Sequence, residues 1–306
     1  MGKYAKGVAV LRQACRMACL LSVWFGGVGA EYARSTPGEP PAYCTMFHHM
    51  VKAGGSSIKS RLQRASVMEG LGKPGQCLSG PTNEQACADA MSNSAVTAGY
   101  TELLRCPLQH SGRDCEFFTV FRHPIDRLVS AFFYCPKDHD VQHRPTKWCG
   151  FADDPQPATE RLVEFAREAW GNLAFRQMSL GLCCNGGTFC EGGKAPSRAS
   201  VDEPAGWDML GEIMGLLNTY NAVGILEHWD LTMQLFNVRV KSPVRDWQEI
   251  VKTNAGQQSG LRSDVLKWAH DSPEVLHILA TDILLYDHAV AVFKEQTAAS
   301  LGTVWE

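Results

Sequence analysis

The sequence predicts an α/β fold: a doubly wound, mostly parallel sheet with flanking helices and a helical C-terminus. Two segments lead to it, residues 44–62 (CTMFHHMVKAGGSSIKSRL) and residues 117–135 (FFTVFRHPIDRLVSAFFYC). Each runs from a short apolar strand pattern, through a turn carrying a cation, into an amphipathic helix. Strand patterns alternate with helical patterns along the rest of the chain, as in parallel α/β sheets. A chain of 306 residues is long enough for one large domain of this kind.

The N-terminal segment has the pattern of a secretory signal. Four basic residues precede 14 uncharged residues at positions 17–30, MACLLSVWFGGVGA, which end in small side chains. Fourteen residues are short for a membrane-spanning helix, which needs about 20. Residues 1–30 are therefore predicted to be a signal peptide or a signal anchor. If the segment is a signal anchor, the protein is a single-pass type II membrane protein. A buried N-terminal helix is the alternative, and the glycines at positions 26, 27 and 29 disfavour it.

The overall charge excludes one class of partner. The chain carries 29 basic and 32 acidic residues, a formal net charge of −3, and loss of the four cations in residues 1–30 makes it −7. Nucleic-acid binding calls for a clear basic excess, so no nucleic-acid partner is expected. The same acidity disfavours a long polyanionic partner unless arginines gather locally.

The first strand–turn–helix unit follows a proline-rich stem, residues 31–42. Residues 43–47 are predicted as a strand and residues 57–65 as a helix with Ile58, Leu62 and Ala65 on one face. Residues 69–93, rich in glycine, proline and cysteine, are predicted as a loop region, and residues 95–100 as a second strand.

The second unit has the clearer pattern. Residues 117–121 are apolar apart from Thr119, as expected of a strand buried on both faces. Pro124 suits the first turn of the helix that follows. The amphipathic face of this helix consists of Ile125, Leu128, Val129, Phe132 and Phe133.

The remaining elements complete an expected domain at residues 43–299. A loop is predicted at 136–157, a helix at 159–170, a Gly/Cys-rich insertion at 183–204, a strand at 222–226, and helices at 229–236, 263–269 and 273–299.

Ten of the 12 cysteines lie beyond residue 30. An even number after a secretory signal predicts disulfides in an oxidising compartment, with the connectivity left open. Cys183, Cys184 and Cys190 are expected to fasten the Gly-rich insertion, with the two adjacent cysteines bonded to different partners. No C-x-x-C pair is present, so a zinc finger is disfavoured.

The turn of the first unit has the residues of a phosphate site. Lys52 is followed by Gly54, Gly55, Ser56 and Ser57 at the start of a helix. Glycines let the backbone approach a phosphate, and the N–H groups of a helix N-terminus and the hydroxyls donate to it. The lysine precedes the glycines, unlike the GxxxxGK[ST] loop of nucleoside triphosphatases. The alternative is a tight turn with a solvated lysine.

The second unit predicts a second phosphate site. Arg122 ends the strand at the sheet edge where α/β ligands bind, and Ser130 lies about two helical turns further on. A guanidinium fork with a hydroxyl suits a phosphate monoester. The alternative assigns Arg122 to capping or ion pairing and Ser130 to helix packing.

These motifs resemble those of the Golgi carbohydrate sulfotransferases, in particular the heparan sulfate 2-O- and uronyl-type subgroup. FHHMVKAGGSSI is similar to their H-x-P-K-T-G-G-T-S 5′-phosphosulfate loop, and FRHPIDRLVSAFFY to their R-D-P-x-x-R-x-x-S-x-Y/F 3′-phosphate motif. NLAFRQMSLG (172–181) resembles N-x-Q-T-R-x-L-x-G, and VGILEHWDLTMQLF (223–236) resembles V-G-x-x-E-x-x-x-x-S-x-x-L-L. KTNAG (252–256) and DILLYDHAVAVF (282–293) follow in the family's order, so the resemblance covers residues 44–296.

The resemblance implies a P-loop-NTPase-like sulfotransferase fold and 3′-phosphoadenosine 5′-phosphosulfate as sulfuryl donor. Lys52 would contact the bridging oxygen, Gly54, Gly55, Ser56 and Ser57 the 5′-phosphate, and Arg122 with Ser130 the 3′-phosphate. The acceptor would be a carbohydrate hydroxyl, the location the Golgi lumen, and no metal would be needed.

The general base is the position where the chain departs from the family. The family's G-H-x-x-F/Y pattern corresponds to residues 98–102, AGYTE, where Tyr100 replaces the histidine. Glu102 is the first candidate for the base and His49 the second, and His110 is a further candidate. The alternatives are a solvated loop carboxylate for Glu102 and strand-end packing for His49. Val51, Ala53 and His123 also replace the family's Pro, Thr and Asp.

Two other functions are compatible with the sequence. The missing G-H pattern favours a catalytically inactive sulfotransferase-like protein that binds nucleotide or glycan in the secretory pathway. A nucleoside kinase or other phosphate-loop transferase is disfavoured by the position of Lys52 and by the secretory signal.

Overall fold

The computed structural model describes residues 44–69, 71, 75–77, 96–99, 115–134, 156–182, 204–250 and 260–305, all of which belong to one compact unit. The predicted signal segment 1–30 and stem 31–42 lie outside the described residues, as do Glu102, Tyr100 and most of the loop 136–157. The domain boundaries stay predictions. Among the described residues, no helix is both long and apolar enough to cross a bilayer.

Five strands form one sheet in which all neighbours run parallel. In chain order the strands are β1 (Thr45–His48), β2 (Gly75–Cys77), β3 (Val96–Gly99), β4 (Glu116–Phe121) and β5 (Ala222–Ile225). Their order across the sheet is β2-β3-β1-β4-β5. The predicted α/β class and parallel sheet are confirmed, with predicted strand ends within two residues of those observed.

The neighbouring strands β1 and β4 are followed by connections that run to opposite sides. After β1 the chain returns to the sheet at β2, on one side, and after β4 it returns at β5, on the other. Such a reversal opens a crevice at the carboxyl ends of the two strands, where ligands of parallel sheets bind. The loop after β1 and Arg122 after β4 therefore lie at the same edge of the sheet.

Nine α-helices are assigned within the described residues. They are α1 (Gly55–Met68), α2 (Pro124–Phe132), α3 (Ala158–Phe165), α4 (Leu173–Leu182), α5 (Pro204–Asn218), α6 (Trp229–Arg239), α7 (Gly260–Asp271), α8 (Pro273–Ile278) and α9 (Ala280–Leu301).

Several predicted elements need correction. The loop region predicted at 69–93 contains β2, the helix predicted at 159–170 changes to a wider π-helical turn at Ala166–Trp170, and neither α4 nor α5 was predicted. The single C-terminal helix predicted at 273–299 is two helices, because the chain breaks at Leu279 between α8 and α9.

Two apolar clusters hold the elements together. The larger lies at the sheet, where Phe118 contacts the rings of Phe47, Phe236 and Trp247. The smaller joins α2 to α3, α7 and α8, and it buries all five predicted apolar residues of α2. The α2 prediction is therefore confirmed in both its start at Pro124 and its buried face.

A disulfide links the residues that precede the two central strands. Cys44 and Cys115 are bonded, with their Cα atoms 4.6 Å apart, next to the paired residues Thr45 and Glu116. The expectation of disulfides is met at this pair. The predicted role of Cys183, Cys184 and Cys190 falls on residues outside the described ranges.

Candidate functional site

The loop between β1 and α1 has an unusual backbone. Lys52 adopts φ 63° and Gly54 φ 80°, both in the left-handed region, where residues other than glycine are uncommon. The Ala53 N–H donates to the carbonyl of Met50 at 3.3 Å, which closes the turn. Gly54 is the N-cap of α1, and no side chain caps this helix end. The first turn of α1 thus begins directly at the loop, in the arrangement that binds anions.

Glycine is required at both positions 54 and 55. A Cβ on Gly54 would lie 2.7 Å from Leu226 Cδ1, and a Cβ on Gly55 would lie 2.0 Å from His49 Cδ2. The loop and the start of α1 are therefore packed between the turn that follows β5, on one side, and the His49 ring, on the other. Of the two predicted loop hydroxyls, Ser56 is exposed and Ser57 is buried in the first turn of α1.

Lys52 extends from this loop towards the end of α2. Its Nζ lies 3.4 Å from the centroid of the Tyr134 ring, two residues after α2. The face of an aromatic ring attracts a cation, so the Tyr134 ring holds the Lys52 ammonium in place.

Arg122 connects the second unit to the first. It directly follows β4, is half-buried, and its Nη1 donates to the backbone oxygen of Lys52 at 3.4 Å. Burial lowers the pKa of Arg122, which the carboxylates of Asp126 and Glu227 partly offset. The contact brings together the two cation-bearing turns that the sequence singled out. Ser130, the other predicted residue of this unit, lies half-buried on α2.

The histidines at the end of β1 are buried. His48 Nδ1 lies 2.7 Å from the Tyr220 hydroxyl, and burial, together with the neighbouring His49, lowers the pKa of His48 to about 3. His49 stacks on Phe47 with ring centroids 5.6 Å apart, and burial, with the charge of Lys59, lowers its pKa to about 4. The structure places His49 as a packed ring beneath the loop. The other predicted base, Glu102, lies outside the described residues.

A cluster of polar side chains surrounds Arg122, and the sequence did not predict it. Glu227 Oε1 accepts from the His123 backbone N–H at 3.0 Å, and its Oε2 accepts from the Tyr286 hydroxyl at 3.1 Å. His270 Nε2 lies 3.2 Å from Asp126 Oδ2. Asp126, Glu227 and Tyr286 lie in motifs quoted from the sequence, whereas His270 lies in none of them. His270 and Tyr286 reach the site from α7 and α9, more than 130 positions after Arg122 in the sequence.

Other residues of the quoted motifs stabilise the fold. Gly224 lets α6 pack on β5, because a Cβ there would lie 2.2 Å from Thr232 Cγ2. The Thr232 hydroxyl in turn bonds the Ile225 backbone.

A buried ion pair and its hydrogen bonds connect three of the quoted motifs, FRHPIDRLVSAFFY, NLAFRQMSLG and DILLYDHAVAVF. Arg127 of α2 pairs with Asp282 of α9. Asp282 also accepts from the backbone N–H groups of Ala174 and Phe175 at the start of α4, and its own N–H donates to Asn172. This network ties α2, α4 and α9 together behind the site.

Searches against models of protein families and against the curated proteins find no match to this chain.

Proposed function

We propose that this protein is a sulfotransferase, which moves a sulfuryl group from 3′-phosphoadenosine 5′-phosphosulfate to a hydroxyl of a carbohydrate acceptor. The observation that carries the proposal is the contact between Arg122 and the Lys52 carbonyl at the carboxyl ends of β1 and β4. It sets two cationic turns side by side where parallel sheets bind their ligands. A donor with phosphate groups at both ends fits such a pair of turns.

The fold assigned under this proposal is the doubly wound, P-loop-like sulfotransferase fold. The parallel strand order and the opposite connections after β1 and β4 support it. The glycine-dependent turn into α1 supports the 5′-phosphate site. Arg122, together with Ser130, is assigned to the 3′-phosphate.

The transfer itself needs few protein groups. The acceptor oxygen attacks sulfur while the bond from sulfur to the bridging phosphate oxygen breaks, and adenosine 3′,5′-bisphosphate leaves. The Lys52 ammonium stabilises the charge that develops on the leaving oxygen. The acceptor proton passes to a general base, for which Glu102 is proposed first and His49 second. The packing of His49 against Phe47 and Gly55 favours Glu102, because a base must reach the acceptor hydroxyl.

The location proposed is the lumen of the secretory pathway, with the Golgi as the expected compartment. The Cys44–Cys115 disulfide supports an oxidising environment. The basic and apolar pattern of residues 1–30 supports a signal peptide or anchor.

The test is sulfate transfer by the purified luminal domain. The protein is incubated with donor and a panel of glycans, and products are identified by mass spectrometry. Sulfate on at least one glycan, dependent on donor, is the expected result. Nucleotide binding without transfer to any glycan would instead favour the inactive, nucleotide-binding alternative, and absence of both would refute the proposal.

Lys52→Ala should lower turnover far more than nucleotide affinity, because its charge is needed most as the leaving group departs. Lys294→Ala is the matched control, since Lys294 also lies over an aromatic ring, 5.2 Å from the Trp305 centroid, on α9. Equal losses of turnover and affinity in Lys52→Ala would make Lys52 a simple binding residue.

A further inference from the structure

Three side chains near Arg122 converge in a way that the proposed transfer does not use. His123 is the N-cap residue of α2, Asp126 lies in the first turn of that helix, and His270 lies in the last turn of α7. One ligand atom from each falls within 4.8 Å of the others.

The distances suit a tetrahedral metal ion. Asp126 Oδ2 lies 3.2 Å from His270 Nε2 and 3.5 Å from His123 Nδ1. Zinc bonds to nitrogen and oxygen are about 2.0–2.2 Å, so two ligands on a tetrahedral ion lie roughly 3.3–3.5 Å apart. Two of the three separations therefore match a tetrahedral ion, the third lies within 4.8 Å, and the exposed His270 ring must turn out of its stack on His123 to reach the ion.

The His123 ring nitrogen indicates an incomplete site. Nδ1 is buried, and among the described residues it has no hydrogen-bond partner, since the 3.5 Å separation from Asp126 is too long for a good one. A buried polar atom without a partner costs free energy. A metal ion bound to Nδ1 would remove this cost.

Two neighbouring groups hold His123 in place, as the residues that contact metal ligands do in metal sites. Its backbone N–H is bonded to Glu227, and its ring lies perpendicular to the Tyr286 ring with centroids 5.2 Å apart. Because Tyr286 also donates to Glu227, both contacts are held by one carboxylate.

Nearby charges act in both directions. Arg122, Arg262 and the N-terminus of α2 oppose a cation, whereas Asp126 and Glu227 favour one. A dication bound here would keep a net positive charge, so its fourth position suits water or an anion.

We propose that His123, Asp126 and His270 bind one first-row divalent cation of the zinc type, which joins the start of α2 to the end of α7. Two imidazoles favour such a cation over calcium or magnesium, which prefer oxygen ligands. The site does not depend on the sulfuryl-transfer proposal. The proposed site differs from what the sequence resemblance implies, which is that no metal is needed. The spacing of the ligands in the sequence does not indicate the site, because Asp126 and His270 lie 144 positions apart.

The test is a titration of the chelator-treated, purified protein with Co²⁺ and then Zn²⁺. Cobalt in a tetrahedral site of nitrogen and oxygen ligands should give visible absorption without the near-ultraviolet thiolate band, and one equivalent of Zn²⁺ should abolish it. His270→Ala should weaken Co²⁺ affinity at least about 100-fold, because it removes a direct ligand. His277→Ala, an exposed histidine of α8, should leave the affinity unchanged.

Thermal unfolding supplies the second measurement. Zn²⁺ should raise the Tm of the wild-type protein and of His277→Ala, but not of His270→Ala or Asp126→Asn, because an ion bound only in the folded state stabilises it. His270 is 42% exposed, so its truncation should not prevent folding. A folded wild-type protein without a visible cobalt band, or a band of equal affinity in His270→Ala, would overturn the proposal.

Discussion

The two strand–turn–helix units use different physics to position their cations. In the first, the turn before α1 is held by apolar and ring packing around Gly54 and Gly55, and its histidines are buried and uncharged. In the second, Arg122 lies among polar side chains from four elements, namely the start of α2, the turn that follows β5, α7 and α9. The comparison indicates that the first site depends on shape and the second on charge.

The largest expected effect comes from breaking the charged network behind the second unit. Arg127→Ala should lower the free energy of unfolding by about 3–5 kcal/mol, because it leaves Asp282 buried without its ion-pair partner. Chemical denaturation measures this. Arg167→Ala is the control, since its ion pairs with Glu164 and Glu274 are exposed and should contribute less than about 1 kcal/mol. Equal costs for the two variants would refute the assigned role of the buried pair.

A smaller effect is expected from overpacking the first unit. Gly55→Ala should lower the free energy of unfolding by about 1–3 kcal/mol, because the new Cβ would overlap the buried His49 ring. Gly211→Ala provides the contrast, since nothing lies within 4 Å of a Cβ there and the residue is exposed on α5. That variant should gain up to about 1 kcal/mol. A Gly55→Ala protein as stable as wild type would show that the turn tolerates a side chain.

The two units also show which features of the structure could be predicted from the sequence. The strands, the Lys52 turn, Arg122 and the buried face of α2 follow from local apolar periodicity and from glycine and proline positions. The polar cluster could not be predicted, because His270 and Tyr286 approach Arg122 only after α7 and α9 have packed. β2 was missed because three residues in a glycine- and cysteine-rich segment carry too little pattern. Glu102 stays a prediction.

The pH dependence of stability should follow the histidines of the first unit. The pKa values of His48 and His49 fall to about 3 and about 4, below the usual 6.5, so protons bind the unfolded chain more tightly. Their contribution to stability is therefore present above about pH 6.5 and is lost as the pH falls towards the folded values.

Each of these histidines should reduce the free energy of unfolding by about 1.4 kcal/mol per pH unit in that window. Denaturant titrations between pH 7.5 and pH 5 measure how the free energy of unfolding changes with pH. His48→Phe should make this slope smaller by the contribution of one histidine. An unchanged slope in this variant would mean that His48 titrates normally in the folded protein.

The central claim, that the two units together bind the donor nucleotide, is tested most directly by calorimetric titration with adenosine 3′,5′-bisphosphate. Arg122→Ala should weaken binding by about 1.5–3 kcal/mol, the contribution of a hydrogen bond to a charged group. Arg64→Ala, an exposed arginine about 14 Å along α1 from Gly55, should bind like the wild type. Unchanged affinity in Arg122→Ala, or the same loss in both variants, would contradict the account.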